Sequence, residues 1–329
     1  MTPLERALVE TIKTDGPISV EVYMAACNYY YYATRDPLGA RGDFTTAPEI
    51  SQMYGEMIGA ALADCWSRAD RPKNFSYAEL GPGRGTLASD ALRVMRAASC
   101  TPASVALVET SPLLRDAQLA AVPGAAHYDT IEGLGEDDGP LLVVASEFFD
   151  ALPVQQWVGG IERRVEWIGG HLCFDRDGEI VEKAPAREQA VAELAGILVA
   201  RGGAAILVDY GHAQEGAHGD TLQAVAAHRH ALPLDKPGEQ DLTAHVDFAG
   251  LARAARSTGA IVSRVASQGS WLEALGIGAR ATALAARNPA QTDAIATARR
   301  RLCDEDEMGT LFKVMAIAAP GWPLPAGLE

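Results

Sequence analysis

A glycine-rich turn separates a short run of strand-forming residues from a helical pattern. Residues 75–85 read Phe-Ser-Tyr-Ala-Glu-Leu-Gly-Pro-Gly-Arg-Gly, with glycines at Gly81, Gly83 and Gly85 and an acid at Glu79. Glycine lets the backbone turn tightly and lets a ligand approach without a clash against Cβ. Nucleotide cofactors bind at such turns, at the carboxyl end of the first strand of an α/β sheet. The turn therefore predicts a cofactor site.

The spacing of the glycines favours one type of cofactor. The third glycine, Gly85, comes one residue earlier than in the dinucleotide pattern G-x-G-x-x-G, which seats a pyrophosphate on a helix N-terminus. S-adenosylmethionine has no pyrophosphate, and its methionine part can lie along a tighter loop. About 24 residues later, the second predicted strand ends in Glu109, whose carboxylate can accept hydrogen bonds from both ribose hydroxyls. The alternative for Glu109 is a solvent-facing acid at a strand end.

A second group of polar residues follows another apolar strand. Residues 143–153 read Val-Val-Ala-Ser-Glu-Phe-Phe-Asp-Ala-Leu-Pro, and we expect Ser146 to Asp150 to line the substrate side of the cofactor. Ser146 and Glu147 are predicted to contact the cofactor as well. If the methyl acceptor is an arginine, a carboxylate that grips its guanidinium orients the attacking nitrogen. Glu147 is the first candidate for that role and Asp150 the second; the alternative is a loop with two solvated acids.

Two further residues are weaker candidates for a role in catalysis. His245 lies between Asp241 and Asp247, and it is predicted to take the proton that the acceptor loses. An ordinary polar loop histidine explains it equally well. Asp209 ends the fifth predicted strand, where it is either a functional acid or a strand terminator.

A polar segment precedes the first core strand and is predicted to cover the cofactor. Residues 35–52 form this expected lid, in which Gly42 supplies backbone freedom and Asp43, Thr45 and Thr46 supply polar contacts. The alternative is a capped turn that leads into a helix. The four consecutive tyrosines at 29–32 are expected to pack a helix end onto the body rather than to frame a substrate channel.

The elements that would position these residues alternate between strands and helices. Such alternation predicts an α/β fold, a Rossmann-like mostly parallel sheet of seven strands covered on both faces. Residues 1–70 are predicted to form a helical cap and residues 71–329 the core, with insertions near 154–177, read as β-hairpins, and near 211–250. The seven predicted strands are Phe75–Leu80, Val105–Thr110, Ala125–Tyr128, Leu141–Ser146, Ala204–Asp209, Ile261–Ala266 and Phe312–Ala318.

The composition of the chain argues against several classes of protein. The chain has 329 residues, is 48% hydrophobic and carries a formal net charge of −15, which argues against binding to nucleic acid phosphates. No apolar run is long enough to span a membrane, and residues 1–10 do not resemble a signal peptide. The five cysteines are scattered, so we expect reduced thiols, no metal site and a cytoplasmic location.

Several long motifs resemble those of the MidA-type methyltransferases, relatives of the mitochondrial protein arginine methyltransferase that assists assembly of respiratory complex I. The resemblance runs from roughly Pro3 to Ala318 and rests on residues 35–39, 42–52, 79–86, 147–153, 219–224 and 241–247. It implies a class I methyltransferase fold, S-adenosylmethionine as methyl donor and, by analogy with the mitochondrial member, an arginine of a complex I subunit as acceptor. The family usually has asparagine where this chain has Ser146, and a hydroxyl cannot replace an amide's paired donor and acceptor.

The residues leave other functions open. A methyltransferase that acts on a small molecule would need the same cofactor site. An assembly chaperone that binds S-adenosylmethionine without chemistry would also share it. A nicotinamide oxidoreductase is disfavoured by the glycine spacing. Arginine methyltransferases are often dimers, so a homodimer is possible, although no exposed apolar stripe in the sequence identifies an interface.

Overall fold

The computed structural model describes residues 1–35, 39, 42, 43, 45–214 and 219–329. Two short 3₁₀ helices, Ile131–Gly135 and Pro289–Gln291, accompany the α-helices and strands. The α-helices are α1 (Pro3–Asp15), α2 (Val20–Thr34), α3 (Ala47–Ile50), α4 (Gln52–Arg68), α5 (Thr86–Ala97), α6 (Pro112–Ala121), α7 (Pro185–Arg201), α8 (Phe248–Ser257), α9 (Gln268–Ala274), α10 (Ile277–Arg287), α11 (Thr292–Cys303) and α12 (Met308–Leu311). The strands are β1 (Ile18–Ser19), β2 (Ser76–Leu80), β3 (Ser104–Val108), β4 (Ala126–Tyr128), β5 (Leu141–Ser146), β6 (Gln155–Val158), β7 (Ile161–Glu162), β8 (Arg164–Ile168), β9 (His171–Phe174), β10 (Ile180–Lys183), β11 (Gly203–His212), β12 (Gln223–Ala226), β13 (Arg229–Ala231), β14 (Asp241–Thr243), β15 (Val246–Asp247), β16 (Ile261–Val262), β17 (Ala266–Ser267) and β18 (Phe312–Ala318).

The central sheet confirms the predicted class I, Rossmann-like architecture. Its strands follow the order β16-β18-β11-β5-β2-β3-β4, parallel from β11 to β4, with β18 running antiparallel beside β11. The predicted strand Ile261–Ala266 is split into β16 and β17, which both pair with β18. Ser263 lies between them and bonds the backbone of Ala316 through both its N–H and its hydroxyl, which interrupts regular pairing.

Apolar strand sequences place this sheet in the centre of the molecule. Every residue of β2 and β5 is buried, as expected for parallel strands covered on both faces. One face packs on α4, α5 and α9 and the other on α7 and α8. The chain order reverses at β2, which lies between β5 and β3. In open α/β sheets, ligands bind at the carboxyl ends of the strands at such a reversal.

A separate layer covers that edge of the sheet. Helices α1 and α2 share a hydrophobic cluster with β8, β9, β12 and β14, and α2 also contacts β6. The first 35 residues therefore form one cap with the strands of both predicted insertions. The insertion near 154–177 contains antiparallel strands, as predicted. Helix α4 instead packs on α5, because Gly55 and Gly59 let the backbones approach closely: a Cβ at Gly59 would lie 2.5 Å from the Ala91 carbonyl oxygen. Packing therefore assigns 52–68 to the core, unlike the boundary predicted at residue 70.

A helical hairpin between α9 and β18 has no counterpart in the sequence-based prediction. Helices α10 and α11 pack against each other, and Glu56 of α4 anchors α10. The buried Glu56 carboxylate accepts hydrogen bonds from Arg280 Nε at 2.6 Å and Arg280 Nη2 at 2.7 Å, and Arg93 Nη1 donates to it at 2.9 Å. Two guanidinium groups thus neutralise and satisfy one buried acid. None of the helices in the described part of the chain combines the length and apolar character needed to cross a lipid bilayer.

Candidate active site

A cavity of about 480 Å³ opens at the carboxyl ends of β2, β3 and β5, beneath α2 and α3. Its volume is in the range of small-molecule sites. The predicted cofactor residues Glu79, Gly81, Gly83, Glu109 and Ser146 line this cavity, and so does Glu147. The remaining predicted residues, which are Gly42, Asp43, Thr45, Gly85, Asp150 and His245, lie outside its lining.

The glycine turn is built as the sequence predicts. Gly81, Gly83 and Gly85 all have positive φ (62°, 54° and 80°), and Gly85 caps the N-terminus of α5. A Cβ at Gly81 would lie 3.1 Å from Phe148 Cδ2, and one at Gly85 would lie 3.2 Å from Ala121 Cβ. Gly85 therefore shapes the turn from behind, where a side chain would also meet α6.

Glu79 is the most deeply buried acid of the cavity wall. Its side chain is 3% exposed, and Tyr77 donates a hydrogen bond to Glu79 Oε2 at 2.8 Å. Burial raises the pKa of the Glu79 carboxyl to about 8, although the tyrosine bond lowers it. The carboxyl is thus poised to ionise when a positive charge binds nearby.

Glu109 is held at the end of β3 by a glutamine that sequence analysis missed. Glu109 Oε1 accepts from the Ser111 backbone N–H at 2.8 Å, and Oε2 accepts from Gln118 Nε2 at 3.2 Å. Gln118 Nε2 also donates to the Gly83 carbonyl at 2.6 Å, so one amide ties the glycine turn to the acid. The spacing in the sequence could have identified Gln118. It follows Leu114 by four positions and therefore lies on the same, buried face of α6, where a polar residue is unusual.

The loop after β5 places Glu147 in the cavity through a strained backbone. Glu147 has a φ of +53°, which is unfavourable for a residue with a side chain and is often found at functional sites. Its Oε1 accepts a hydrogen bond from the Ala47 N–H at 2.7 Å. Burial raises the pKa of Glu147 to about 8; the Ala47 bond opposes this rise, and the charges of Asp150 and Asp241 add to it. Beside it, Ser146 Oγ lies 2.8 Å from the Tyr54 hydroxyl, a partner for the serine that replaces the family's asparagine.

Asp150 and Asp209 lie behind this loop rather than in the cavity. Asp209 Oδ2 accepts from the backbone N–H groups of Phe149 at 3.0 Å and Asp150 at 3.1 Å. Arg187, which is fully buried, donates to the carbonyls of Asp150 and Leu152. These bonds hold the loop in place. Asp209 lies within β11, which continues to His212, so it does not terminate the strand as the second interpretation predicted. Burial raises the pKa of both carboxyls.

The predicted lid is attached to the cap. Asp43 Oδ2 accepts from the Tyr31 hydroxyl at 2.7 Å, and Asp43 Oδ1 accepts from the Ala227 N–H at 2.7 Å, in the turn between β12 and β13. The Asp43 carboxylate is thus used to hold the segment in place. Within the same segment, Thr46, Pro48 and Glu49 line the cavity, while residues 36–38, 40, 41 and 44 of the predicted lid lie outside the described residues.

The structure does not bring His245 together with Glu147. His245 lines a second cavity of about 400 Å³, together with His212, Glu188 and Arg253. Its ring packs edge-on against Tyr210, and burial lowers the pKa of the imidazole. The expected proton acceptor is therefore separated from the cavity that Glu147 lines.

The tyrosine run contributes to both packing and the cavity. Tyr31 is buried, as the packing interpretation predicts, whereas Tyr29 and Tyr32 line the cavity. The Tyr32 hydroxyl donates to Asp241 Oδ1 at 2.7 Å. Sequence analysis did not single out Tyr32 or Asp241, because residues 209 positions apart meet only in the folded chain.

The charges around the cavity fit a cationic ligand. Among the described residues, its lining carries one arginine, Arg84, which lies 3.9 Å from a Glu49 oxygen, and six acids. Those acids are Glu49, Glu79, Glu109, Asp129, Glu147 and Glu193. S-adenosylmethionine carries a sulfonium, and Glu109 retains lone pairs for ribose hydroxyls, so these residues fit the expected cofactor. Among the described residues, no three His, Cys, Asp or Glu side chains are grouped so that they could hold a metal ion.

This chain is similar to known methyltransferases. Residues 57–174 and 160–266 match a family described as "Putative S-adenosyl-L-methionine-dependent methyltransferase". The chain is 31% identical to the mitochondrial protein arginine methyltransferase NDUFAF7 of Xenopus tropicalis, over 94% of this chain and 84% of that protein. It is 32% identical to the human protein of that name, over 96% of this chain and 83% of the relative.

Two solved structures share the fold over nearly the whole chain. A Burkholderia thailandensis protein with S-adenosyl-homocysteine bound superposes with a TM-score of 0.84 at 26% identity, covering 96% of this chain and 91% of that one. A native structure from the same organism gives a TM-score of 0.81 at 25% identity, covering 99% and 92%.

The relatives correct one expectation drawn from the sequence. The cytoplasmic location predicted from reduced cysteines and the lack of a signal-peptide pattern is wrong by this comparison, because the curated relatives are named mitochondrial. Free thiols and a polar N-terminal segment do not distinguish between these compartments.

Proposed function

This chain belongs to the family of S-adenosylmethionine-dependent methyltransferases that contains the mitochondrial protein arginine methyltransferase NDUFAF7, and we propose that it methylates an arginine of a protein partner. One observation supports an arginine acceptor above the others. The Glu147 carboxylate lines the acidic cavity with only Oε1 engaged, by the Ala47 N–H. Oε2 has no hydrogen-bond partner among the described residues, so it is available to a guanidinium.

The cofactor wall of the cavity, defined as residues 79–118, would hold the methyl donor. Glu109 would accept hydrogen bonds from the ribose hydroxyls. The glycine turn would let the methionine part of the cofactor lie close to the backbone. When bound, S-adenosylmethionine supplies a methyl group already activated on a sulfonium. The protein therefore has to align the reacting groups and exclude water, which the covering α2 and α3 favour.

The acceptor wall, defined as Tyr32 and Glu147 in the cavity lining together with Asp241 next to Tyr32, would receive the arginine. A guanidinium is a poor nucleophile, and a carboxylate that bonds one of its nitrogens orients another for attack. A bound cation stabilises ionised Glu147 and so lowers the carboxyl pKa from about 8. Glu147 is accordingly proposed as the catalytic carboxylate and Asp150 as a group behind it. The role first predicted for His245 stays a prediction, and its position in the second cavity does not favour it.

The partner is proposed from the resemblance. A subunit of respiratory complex I is the expected substrate, with assembly of that complex as the wider role, because relatives named NDUFAF7 share about a third of the sequence. A homodimer stays a prediction.

The test is methyl transfer into protein. Purified enzyme and S-adenosylmethionine with a tritiated methyl group are added to a lysate of cells that lack the gene, and protein hydrolysates are analysed for methylarginine. Label in methylarginine is the expected result. Label confined to small molecules would favour the small-molecule alternative, and absence of label with intact S-adenosyl-homocysteine binding would favour a chaperone.

A further inference from the structure

In the methylation of a guanidinium, the nitrogen that attacks the methyl carbon must lose a proton, and here it would do so inside a covered cavity. We propose that Tyr32 and Asp241 form the proton exit, with the Tyr32 hydroxyl relaying the proton to the buried Asp241 carboxylate. This inference rests on the proposed arginine methylation. It assigns the role of proton acceptor to two residues of the acceptor wall, because His245 lies in the second cavity.

The geometry places the pair where the proton is released. Tyr32 lines the same cavity as Glu147, and its hydroxyl donates a hydrogen bond to Asp241 Oδ1 at 2.7 Å. Asp241 is 5% exposed and is not part of the cavity lining, so the tyrosine connects it to the cavity. The charge of Asp241 acts on Glu147 and raises the pKa of that carboxyl, which places both acids in one electrostatic neighbourhood.

The surroundings of Asp241 suit an acceptor at neutral pH. Burial, together with the charge of Asp150, raises the pKa of Asp241 to about 7, against the lowering effect of the Tyr32 hydrogen bond. Burial also holds the pKa of Tyr32 well above its ordinary value, so this hydroxyl passes a proton on without becoming a tyrosinate. The titratable groups that face Asp241 across the packed elements are Tyr31, Tyr32, Asp43, Glu147, Asp150 and Tyr210.

The transfer balances within these groups. The arginine nitrogen forms its bond to the methyl carbon with its own electron pair, and the carbon–sulfur bond breaks with its pair left on sulfur. The nitrogen then keeps the electrons of one N–H bond while that proton moves to the Tyr32 oxygen. The Tyr32 proton moves at the same time to Asp241 Oδ1. Asp241 ends as a neutral carboxylic acid, the tyrosine is regenerated, and the proton returns by the same hydroxyl after the product leaves.

The experiment compares Tyr32→Phe and Asp241→Asn with the unmodified protein. Initial rates of tritiated methyl transfer into arginine are measured between pH 6 and 9 in the gene-deficient lysate, at saturating S-adenosylmethionine. Each variant is expected to lose about 100-fold in rate, the scale of a lost general base. The wild-type rate should rise with pH in two steps, as Asp241 ionises near pH 7 and Glu147 near pH 8, whereas the Asp241→Asn rate should keep only the step near pH 8. Calorimetry with S-adenosyl-homocysteine should give affinities within threefold of wild type.

A matched control is available on the same helix. Tyr23 is buried and donates its hydroxyl to the Pro233 carbonyl at 2.9 Å, outside the cavity lining. Tyr23→Phe removes a comparable tertiary bond and should keep both the rate and its pH profile. Wild-type rates, or an unchanged pH profile, in Tyr32→Phe and Asp241→Asn would overturn the relay while leaving arginine methylation in place. Absence of methylarginine with the wild-type protein would overturn the proposed function itself, and the relay with it.

Discussion

The cofactor wall and the acceptor wall belong to one site, but the chain assembles them differently. The cofactor wall is a single stretch, from Glu79 to Gln118, in which the end of a strand, a glycine turn, a helix, a second strand and most of a second helix follow one another. The acceptor wall gathers Tyr32 from α2, Glu147 from the loop after β5 and Asp241 from β14. One wall depends on local backbone geometry, and the other depends on how the cap docks on the sheet.

Mutations in the two walls are therefore expected to change different measured quantities. Changes in the cofactor wall should act on the affinity for S-adenosyl-homocysteine, because that wall holds the ligand common to every turnover. Changes in the acceptor wall should act on the rate of transfer and leave that affinity nearly intact. The two walls would not be functionally distinct if a change in the acceptor wall weakened S-adenosyl-homocysteine binding, or if a change in the cofactor wall lowered only the rate of transfer.

Glu147→Gln is expected to have the largest effect. The amide oxygen can still accept from the Ala47 N–H, but the group no longer carries a charge for a guanidinium. Methyl transfer into arginine should fall about 1,000-fold, in the range of a lost catalytic group, and calorimetry should show S-adenosyl-homocysteine affinity within threefold of wild type. Retained turnover would remove Glu147 from the mechanism.

Gly81→Ala should affect the cofactor wall by a smaller factor. Gly81 has a φ of +62°, and an added Cβ would meet Phe148 at 3.1 Å, so the turn must shift. We expect S-adenosyl-homocysteine to bind about tenfold more weakly, which corresponds to about 1.4 kcal/mol.

Gly160→Ala is the matched control for that change. Gly160 also has a positive φ, 81°, but an added Cβ there meets nothing within 4 Å, and the residue lies in the turn between β6 and β7. Both variants should lose stability by about 1–2 kcal/mol through backbone strain. Only Gly81→Ala should lose affinity, and equal affinities would mean that the glycine turn does not shape the site.

The last prediction concerns the free energy of unfolding instead of turnover or affinity. It compares one buried acid from each wall. Burial raises the pKa of both Glu79 and Glu147 to about 8. The folded state then binds more protons than the unfolded state between about pH 4.5 and 8, so the free energy of unfolding should fall as pH rises through that window. Because one pKa unit corresponds to about 1.4 kcal/mol, Glu79→Gln should be more stable than wild type by about 4 kcal/mol at pH 8 and should differ by less than about 1 kcal/mol at pH 5.

Denaturant titrations at the two pH values measure this difference. Glu147→Gln should behave in the same way, since its carboxyl is raised by the same cause. A pH-independent difference between wild type and Glu79→Gln would mean that this carboxyl is not neutral in the folded protein.

The neighbourhood of His245 shows where inference from sequence stops. Asp241 and His245 stand four residues apart in one motif, and the histidine drew attention because its ordinary pKa suits proton transfer. In the fold, β14 ends at Thr243, so the two side chains reach different surroundings. Asp241 joins Tyr32 behind the first cavity, whereas His245 enters the second. Sequence separation along a bending chain carries no information about which cavity a side chain reaches.

The sequence by itself determined the central sheet, the glycine turn and Glu109 at the end of β3, because apolar runs and glycines act through local backbone sterics and burial. It also predicted that Glu147 follows a strand that ends at the cofactor. The tertiary structure alone decided that α4 packs on the core and that Gln118 ties Glu109 to the glycine turn. It likewise decided that Tyr32 meets Asp241. The first two arrangements depend on packing between segments of the core, and the third depends on how helix α2 and strand β14 meet in the cap.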